Sequence, residues 1–421
     1  MKLLVFAHTP PPHHGQSYMV QQMLNGFGGD VRRRPPGAAP VSDIECYHVN
    51  ARFSESLEDI GEFQGTKILL ILWFCLQAIW LRFRHGVNHF YYVPAPGKAV
   101  ALYRDWLVML LCRPFFDSVI LHWHAAGLAK WLETATSSVA RSLTYRLFRP
   151  VTLSIVLSRY NAADGEKLLS RNIRVVHNGI ADPCPDFAET VLPRRQARIA
   201  ARQKLLASQS LSPAEIRSAG GDPHIIKVLF LAHCMRQKGL FDALDGVLEA
   251  GRELGAAGSP LSVELTVAGE FADPKERVEF TGRLLELAAG AGAPRIHLVG
   301  FVGGEDKRRS FAEADVFCFP TYYHAESFGL VIVEAMAFGL PVVTTRWRTI
   351  PELFPEDYPG LVAIRSPAQV AQALQRLAGL DLTDEMRRRF LDHYTFARHL
   401  ARLAAAIRSV EEHPPEAVAP A

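Results

Sequence analysis

Short runs of apolar residues recur along the chain, and each is followed by a polar loop and then by a helical pattern. Continuous apolar runs of about four to eight residues are typical of strands that are buried on both faces of a parallel sheet. The pattern therefore predicts an α/β protein with two Rossmann-like, doubly wound domains that face a cleft. In the first half the runs are "KLLVFAH", "HFYYVPA", "SVILHWHA", "TLSIVLS" and "IRVVHNG", and in the second half they are "IKVLFLAH", "VELTVAGE", "RIHLVGF", "ADVFCFPT" and "LPVVTT".

The boundaries of the two predicted domains follow from a stretch that has no strand run. Residues 183–222 contain proline, serine, alanine, arginine and glycine, and we interpret them as a linker or insertion with one helix near residues 194–207. The sequence therefore predicts an N-terminal domain over residues 1–182 and a C-terminal domain over residues 223–391. We expect the proline- and alanine-rich tail, residues 413–421, to be frayed.

Length and composition describe a folded protein rather than a disordered chain. The chain has 421 residues, of which 49% are hydrophobic, and a mean hydropathy of +0.05, which fits about two domains. The six cysteines form no C-x-x-C pair and show no zinc-like spacing, so we expect reduced thiols in the cytosol. The first apolar run is too short for a signal peptide and meets three prolines where cleavage would occur, so we interpret it as a strand.

Charge is divided unevenly between the two halves of the chain. Residues 1–179 carry 19 Lys and Arg against 12 Asp and Glu, which gives a net charge of +7. Residues 180–421 carry 27 against 31, which gives a net charge of −4 and leaves +3 overall. We therefore expect the two halves to meet different partners.

One long hydrophobic segment, residues 67–85, lies in the basic half. Its apolar core, residues 68–81, is shorter than the roughly 20 residues that a helix needs to cross a bilayer, so we do not expect it to span. Two interpretations stay open: a buried helix of the N-terminal domain, or a helix that lies in a membrane interface. In the second case the residues at the edge of the interface are Trp73, Trp80, Arg82 and Arg84.

Two loops after strands of the N-terminal half carry candidate ligand-binding residues. In "HTPPPHHGQS", Gly15 stands at a helix start, where the backbone can approach an anionic ligand; a plain loop is the alternative. In "LHWHAAG", His122 and His124 end a strand on the same face. No third ligand has suitable spacing, so we predict no metal site and favour His124 as a substrate contact. The chain has no G-x-G-x-x-G motif, which argues against a nicotinamide or flavin site.

Two cations and two carboxylates follow strands of the C-terminal half. "HCMRQKGL" places Arg236 and Lys238 in a loop, where a guanidinium and an ammonium suit a diphosphate; a solvated loop is the alternative. "HAESFGLVIVEAMAFGLPVV" places Glu326 in a loop and Glu334 in the helix that follows, with apolar residues between them. Carboxylates in such a stretch are costly unless hydroxyls, N–H groups or cations satisfy them, and sugar hydroxyls are suitable partners.

The two-glutamate segment also carries a family resemblance. "ESFGLVIVEAMAFGLPVV" resembles the E-x7-E signature of retaining glycosyltransferases, specifically glycosyltransferase family 4 with the GT-B fold. "HTPPPHHGQ", "VVHNGI", "RQKG" and "VGFVGGEDKRRSFAEADVFCFP" resemble further motifs of that family in the same order. "HYTFARHLARLAAAI" resembles its closing helices, which implies that residues 392–412 pack back on the N-terminal domain. The chain departs from the family in having "ESFG" where many relatives have "EGFG", and one glycine where the first loop often has two.

The resemblance implies a role for each candidate residue. Glu334 would bind the ribose hydroxyls of a nucleotide-sugar, and Glu326 would bind the donor sugar near the reacting centre. His124 would contact the donor sugar near C6 and the acceptor side of the cleft. The residues expected to hold the diphosphate are Arg236, Lys238, Gly15, Phe328, Gly329 and Leu330.

The resemblance also implies a reaction. A sugar would pass with retention from a nucleotide-diphospho-sugar to a glycan, polyprenyl-linked or lipid acceptor, in the synthesis of polysaccharide, O-antigen or glycolipid. The leaving diphosphate would take the proton of the acceptor hydroxyl. No Asp-x-Asp occurs in the chain, so we expect no metal and no other cofactor.

Partners and alternatives complete the expectation. We expect a cytoplasmic protein, either in solution or peripheral on the inner face of the cytoplasmic membrane through its N-terminal domain, and no nucleic-acid partner. One alternative is a nucleotide-sugar epimerase or hydrolase of the same fold, which would need a catalytic acid or base beyond the two glutamates. The other is a non-catalytic interaction protein that keeps the fold.

Overall fold

The chain divides into two units, each with one six-stranded sheet. The first comprises residues 1–178 together with the segment from residue 397 onward, and the second comprises residues 179–396. Every strand pair in both sheets is parallel. The computed structural model describes residues 1–11, 15–35, 39, 41–52, 65–94, 97–125, 127–288 and 292–412.

The first unit is built on a sheet with the strand order β2-β1-β3-β4-β5-β6. Strands β4 and β5 are buried along their whole length, because their apolar residues meet helices on both faces of the sheet. The strands are β1 Lys2–Phe6, β2 Glu45–Val49, β3 His89–Tyr92, β4 Ser118–Trp123, β5 Val151–Val156 and β6 Ser170–Val175. The helices are α1 Gly15–Gly26, α2 Gly65–His85, α3 Ala99–Cys112, α4 Leu128–Ala135, α5 Ser138–Phe148 and α6 Ala162–Lys167, with short 3-10 helices at Val31–Arg33 and Arg113–Phe115.

The second unit is built on a sheet with the strand order β12-β11-β10-β7-β8-β9. Its strands are β7 Ile225–Leu231, β8 Ser262–Ala268, β9 Arg295–Gly300, β10 Val316–Phe319, β11 Val342–Thr345 and β12 Leu361–Val362. Its helices are α7 Phe187–Thr190, α8 Leu192–Leu206, α9 Pro213–Ser218, α10 Leu240–Ala256, α11 Pro274–Ala288, α12 Gly304–Glu313, α13 Leu330–Ala337, α14 Pro367–Ala378 and α15 Thr383–His393, with 3-10 helices at Arg236–Lys238 and Ile350–Leu353.

Two apolar layers cover the two faces of the first sheet. One layer contains side chains of α2, α3 and α5, which pack with strand residues such as Leu4 and Phe90. The other contains α1 and the last helix, α16, which spans Phe396–Glu412. Leu403 and Ile407 of α16 are fully buried in the same cluster as Val5. The C-terminal helix therefore completes the core of the first unit.

The prediction of two Rossmann-like α/β domains is confirmed. Each of the ten predicted apolar runs overlaps a strand, although β6 begins three residues before its run. Two further strands were not predicted, because β2 has the mixed sequence Glu-Cys-Tyr-His-Val and β12 has only two residues.

Residues 183–222 lie inside the second unit, which corrects their interpretation as a linker between domains. Their main helix, α8, buries Arg195, Arg198 and Arg202. Arg198 and Arg202 contact the carboxylate of Asp315 at 3.0 and 2.9 Å. Burial alone would raise the pKa of Asp315, but these arginines hold it below its usual range. This packing cannot be predicted from the sequence, since arginines at helical spacing usually face solvent.

The long hydrophobic segment forms α2, and the structure excludes a fully buried helix. In its stretch Ile68–His85 only 22% of the residues are buried, and the mean hydropathy is 1.4. By length and composition this helix could cross a membrane, a test that core helices of soluble proteins also pass. One side of α2 does belong to the core of the first unit, and its buried residues are Ile71, Cys75, Ala78 and Leu81.

Candidate functional site

The loop between β10 and α13 is shaped by a glycine. Strand β10 ends at Phe319, and α13 begins at Leu330. Gly329 precedes the helix with a φ of +73°, and a Cβ atom here would lie 3.1 Å from side-chain carbons of both Ile332 and Ile350. A larger residue would meet backbone strain and close contact together, so this helix start requires glycine.

Three predicted phosphate-binding positions lie at the start of α13. Phe328 is 2% exposed, and its ring packs edge-on against Tyr394 with centres 6.0 Å apart, so its side chain belongs to the core. Gly329 and Leu330 follow as the N-cap and the first helical residue. The first N–H groups of a helix have no partner within the helix and mark the positive end of its dipole. The position therefore suits an anion.

The structure brings Lys238 and Glu326 together. Lys238 ends the 3-10 helix after β7, and its Nζ donates a hydrogen bond to Oε2 of Glu326 at 2.7 Å. The ammonium also lies 4.6 Å from the centre of the Tyr323 ring. The two side chains expose only 17% and 9% of their surface. A half-buried lysine thus neutralises the loop glutamate and lies beside an aromatic face.

The two loops that carry this pair pack directly on each other. The backbone N–H of Tyr322 donates to the backbone oxygen of Gln237 at 2.8 Å. Gly239 follows the 3-10 helix with a φ of +83°, and a Cβ atom there would lie 2.3 Å from the backbone oxygen of Pro320. No side chain fits at that distance, so glycine lets the lysine loop approach the glutamate loop.

Arg236 is not gathered with Lys238 and Glu326. Its guanidinium is hydrogen-bonded to Glu279 of α11 and lies 3.9 Å from the centre of the Phe241 ring. The hydrogen bond with Glu279 raises the pKa of Arg236, and 43% of the side chain is exposed. An exposed ion pair of this kind contributes about 0–1 kcal/mol, so a diphosphate could open it at small cost. The role of Arg236 in binding stays a prediction.

Glu334 is paired with a lysine that the sequence analysis missed. Lys307 of α12 donates from Nζ to Oε1 of Glu334 at 2.6 Å. The other carboxylate oxygen, Oε2, is buried and has no hydrogen-bond partner among the described residues. A buried acceptor without a donor is costly, so a ligand hydroxyl or N–H would be favoured there. Lys307 lies one turn inside α12, whereas the sequence pattern points to side chains that directly follow strands, so the pattern does not indicate it.

The first unit holds the two remaining predicted residues. Gly15 is the first residue of α1 and is exposed, and residues 12–14 of its loop lie outside the described part of the chain. His124 directly follows β4 and is 9% exposed. The centre of its ring lies 4.1 Å from that of His122. The predicted contacts of Gly15 and His124 with a donor stay predictions.

His122, the other histidine of the pair, is buried in the core. Its Nδ1 is hydrogen-bonded to the hydroxyl of Tyr91. Burial lowers the pKa of His122 well below its usual value, and the neighbouring His124 and His399 lower it further, so the ring is neutral at pH 7. In the described part of the chain, no group of three His, Cys, Asp or Glu residues is placed to hold a metal ion.

Comparison with known proteins identifies the second unit. Residues 226–379 match the family described as "Glycosyl transferases group 1". The chain is 32% identical over 134 residues to sulfoquinovosyl transferase SQD2 of Arabidopsis thaliana, an alignment that covers 30% of this chain and 25% of the relative. It is 31% identical over 153 residues to the amylovoran biosynthesis glycosyltransferase AmsK of Erwinia amylovora, covering 35% of each. The chain thus spans about a quarter to a third of the length of these relatives.

Solved structures share the fold over nearly the whole chain. Anabaena Alr3699/HepE in complex with UDP superposes with a TM-score of 0.62 at 15% identity, covering 97% of this chain and 100% of that one. Sucrose-phosphate synthase from Thermosynechococcus elongatus superposes with a TM-score of 0.61 at 17% identity, covering 98% and 100%. At such identities these likenesses establish the fold alone, and they confirm the predicted GT-B fold. Residues 226–379, which match the glycosyl transferases of group 1, contain both glutamates and both predicted cations.

Proposed function

We propose that the chain is a glycosyltransferase that moves a sugar from a nucleotide-diphospho-sugar to an acceptor hydroxyl. The observation that carries this proposal is the carboxylate of Glu334, whose Oε1 is held by Lys307 while Oε2 is buried without a donor. Ribose has adjacent hydroxyl groups that would donate the missing hydrogen bond to Oε2 of Glu334. The family match over residues 226–379 and a neighbour solved in complex with UDP support a nucleotide-sugar as the donor.

Lys238 and Glu326 act at the reacting end of the donor in this proposal. The ammonium of Lys238 offsets the charge that develops on the leaving diphosphate, together with the start of α13 and Arg236. Glu326, held in place by Lys238 at 2.7 Å, accepts hydrogen bonds from hydroxyls of the donor sugar. Lys238 and the start of α13 are already held in place before the donor arrives, so they need little reorganisation, whereas Arg236 must leave Glu279.

We further propose that transfer proceeds with retention and without a metal. The bond between the anomeric carbon and the diphosphate oxygen breaks, and the acceptor oxygen forms its bond to that carbon on the same face. The proton of the acceptor hydroxyl passes to the leaving diphosphate oxygen, so no protein nucleophile is needed. Because side-chain cations and a helix start supply the positive charge, we expect the rate to be unchanged when a chelator is added.

The proposed acceptor is a glycan, a polyprenyl-linked sugar or a lipid at the inner face of the cytoplasmic membrane. The support is indirect and comes from the relatives, one of which is described as acting in amylovoran biosynthesis and another as a sulfoquinovosyl transferase. The exposed apolar side of α2 in the first unit also agrees with a site of action at a membrane. We expect the protein to be cytoplasmic and peripheral on that membrane.

The test is thermal unfolding with UDP-, GDP-, ADP- and dTDP-sugars. A ligand present at about 100 times its Kd stabilises the folded state by about 2.7 kcal/mol, so one nucleotide family should raise the Tm by several degrees. Glu334→Gln should abolish the shift, because an amide offers a donor where the ribose hydroxyls need an acceptor. Glu286→Gln, on the exposed part of α11, is the matched control and should keep the shift.

Two other outcomes would replace the proposal. If no nucleotide changes the Tm of a folded sample, the chain is better described as a non-catalytic protein of this fold. If a donor binds and is consumed without any acceptor, giving free sugar or an epimer, the hydrolase or epimerase alternative holds.

A further inference from the structure

One side of α2 presents a line of large apolar side chains to solvent. Leu69, Trp73, Leu76, Trp80 and Phe83 expose between 56% and 69% of their surface. Their spacing alternates between four and three residues, which places them on one stripe about 21 Å long at 1.5 Å per residue. The opposite side of α2 is packed in the core of the first unit. Contiguous exposed apolar surface of this kind marks an interaction site.

The apolar surface extends beyond α2 onto neighbouring elements. The ring of Phe83 contacts that of Phe115, which is 39% exposed, with centres 5.9 Å apart. Tyr103 and Leu110 of α3 are 51% and 56% exposed, and Val139 of α5 is 75% exposed. Helices α2, α3 and α5 cover the same face of the sheet. We call this the apolar face of the first unit: the exposed side chains of α2, α3, α5 and the turn at Arg113–Phe115.

The charges on these elements are almost all positive. The single acidic residue, Asp105, is buried and bound to Arg104 at 2.8 Å and to the hydroxyl of Tyr92 at 2.6 Å, so it adds no negative charge at the surface. The arginines of the three helices and the turn are Arg82, Arg84, Arg104, Arg113, Arg141 and Arg146. Apolar surface surrounded by cations is the composition of a helix that binds an anionic bilayer, and it repels a basic partner.

A cavity of about 310 Å³ adjoins the apolar face where α3 meets the turn at Arg113–Phe115. Leu110 and Phe116 contribute to its wall. It is lined by three arginines, Arg113, Arg146 and Arg171, and by one carboxylate, Asp117. Asp117 lies 3.5 Å from Arg82. In the described part of the chain, neither Arg146 nor Arg171 pairs with a carboxylate. The cavity therefore offers uncompensated positive charge beside an apolar surface.

We infer that the first unit docks on an anionic lipid bilayer through its apolar face, with α2 lying in the plane of the interface and a lipid phosphate held in the arginine cavity. A spanning α2 would have to withdraw Ile71, Cys75, Ala78 and Leu81 from the core, whereas an in-plane α2 keeps them there. Guanidinium groups bind phosphate through paired hydrogen bonds, which suits the three arginines to a headgroup. The inference rests on the proposed function in one respect, namely that the acceptor lies at the membrane. Docking itself does not require a bound nucleotide-sugar.

The first test is sedimentation of the full chain with vesicles of phosphatidylcholine alone or mixed with phosphatidylglycerol. The wild type should bind the anionic vesicles, and the double variant Trp73→Ser with Leu76→Ser should bind them at least about tenfold more weakly. The matched control is Val278→Ser with Leu285→Ser, which removes two apolar side chains of α11 in the second unit that are even more exposed than Trp73 and Leu76. It should bind like the wild type. Equal binding by all three proteins would overturn the inference.

The second test addresses the cavity. Arg146→Gln with Arg171→Gln should weaken binding to anionic vesicles by about tenfold and leave any binding to neutral vesicles unchanged, because only the phosphate contact is lost. The control, Arg217→Gln with Arg277→Gln, removes two exposed arginines of the second unit. Inorganic phosphate, added at constant ionic strength, separates the sources of the anion. It should weaken binding of the wild type to anionic vesicles and leave that of Arg146→Gln with Arg171→Gln unchanged. Phosphate that binds to the cavity without any effect on vesicle binding would show that the cavity takes free phosphate, and the inference would fail for the headgroup.

Two further measurements keep the outcomes distinct. If light scattering shows a dimer that Trp73→Ser with Leu76→Ser dissociates, and no vesicle binding is seen, the occupant of the apolar face is a second copy and the inference is wrong. Each variant is also tested for nucleotide-dependent thermal stabilisation. A variant that keeps the nucleotide-dependent stabilisation but loses vesicle binding shows that docking is separate from the donor site. Loss of both would indicate that the variant is misfolded. In that case Trp80→Ser alone replaces the double variant.

Discussion

Each of the two glutamates around the apolar run has its own lysine. Glu326 is bound by Lys238 at 2.7 Å and Glu334 by Lys307 at 2.6 Å. The sequence indicated both glutamates, because carboxylates beside a buried stretch need partners, and it indicated Lys238 from its place after a strand. It could not indicate Lys307, since nothing in a helical run of "EDKRR" tells which cation turns toward another helix.

Lys238→Ala should reduce kcat by about 100-fold or more, since the charge on the leaving group loses its nearest cation. Glu326 would also be left largely buried and unpaired, which should lower the free energy of unfolding by about 1–3 kcal/mol. Steady-state kinetics and urea unfolding measure the two effects. Lys204→Ala, which opens an exposed pair with Glu215, is the control and should change neither by more than about 0.5 kcal/mol.

Protonation of His122 should make the folded state less stable in acid. Burial lowers its pKa in the folded state, while the unfolded state keeps a value near 6.5, so the unfolded chain binds more protons as the pH falls below about 6.5. The stabilisation is thus present at neutral pH and is lost toward lower pH, by up to about 1.4 kcal/mol per pH unit. In urea unfolding between pH 7.5 and 5, His122→Gln should show a smaller slope than the wild type. The exposed His224→Gln should not, and an equal slope in both variants would contradict this assignment.

At the scale of elements, two loops determine the candidate site of the second unit. The loop after β7 supplies Lys238, the loop after β10 supplies Glu326, and Gly239 and Pro320 are their point of contact. Each loop leaves the carboxyl end of a strand, and in the sheet these two strands are neighbours. The site therefore depends on how closely two backbones approach, which side-chain chemistry alone does not reveal.

Gly239→Ala should destabilise the protein by more than the usual cost of a left-handed alanine. The added Cβ would lie 2.3 Å from the oxygen of Pro320, so one loop must move. Gly258→Ala is the matched control, because Gly258 also has a positive φ, +61°, but nothing lies within 4 Å of its added Cβ. We expect about 1 kcal/mol for the control and at least about 2 kcal/mol for Gly239→Ala in urea unfolding. A smaller loss of unfolding free energy at residue 239 than at residue 258 would show that the two loops can move apart at little cost.

Sequence patterns predicted the strands that are continuously apolar. They did not predict strands with interrupted apolar runs, or the packing of helices whose burial depends on distant partners. Strand β2 was missed because Glu45 and His48 interrupt its apolar run. Helix α8 was recognised but assigned to a linker, since its arginines are buried by ion pairs and carbonyls that lie more than 100 residues away. The sequence of helix α2 fits both a buried helix and a helix in a membrane interface. Its composition is apolar on all sides, so only its packing in the fold distinguishes the buried side from the exposed one.

At the scale of the whole molecule, the second unit is one continuous segment and the first is made of two. Residues 179–396 contain the strands, loops and helices that hold Lys238, Glu326, Lys307 and Glu334. The first unit needs α16 from the end of the chain, whose Leu403 and Ile407 are fully buried in its core. The two units should therefore differ in how they tolerate separation.

A fragment of residues 179–396 should fold alone and keep the nucleotide-dependent rise in Tm, although the rise should be smaller if Gly15 contributes. A fragment of residues 1–178 lacks α16 and should aggregate or unfold without cooperativity, because the part of the sheet that α16 covers is exposed to solvent. Circular dichroism melts of both fragments measure this. Cooperative unfolding of the 1–178 fragment as a monomer would show that α16 is dispensable.

The position of α16 also has a consequence for synthesis on the ribosome. The first unit emerges first, but α16, which covers part of one face of its sheet, is translated only after the whole second unit. Until α16 has been synthesised, the nascent first unit therefore exposes apolar surface that chaperones can bind. A chain that stops early keeps that surface open, so incomplete products can be recognised and degraded. Because α16 follows the second unit along the chain, the first unit can complete its folding only after α16 has been synthesised.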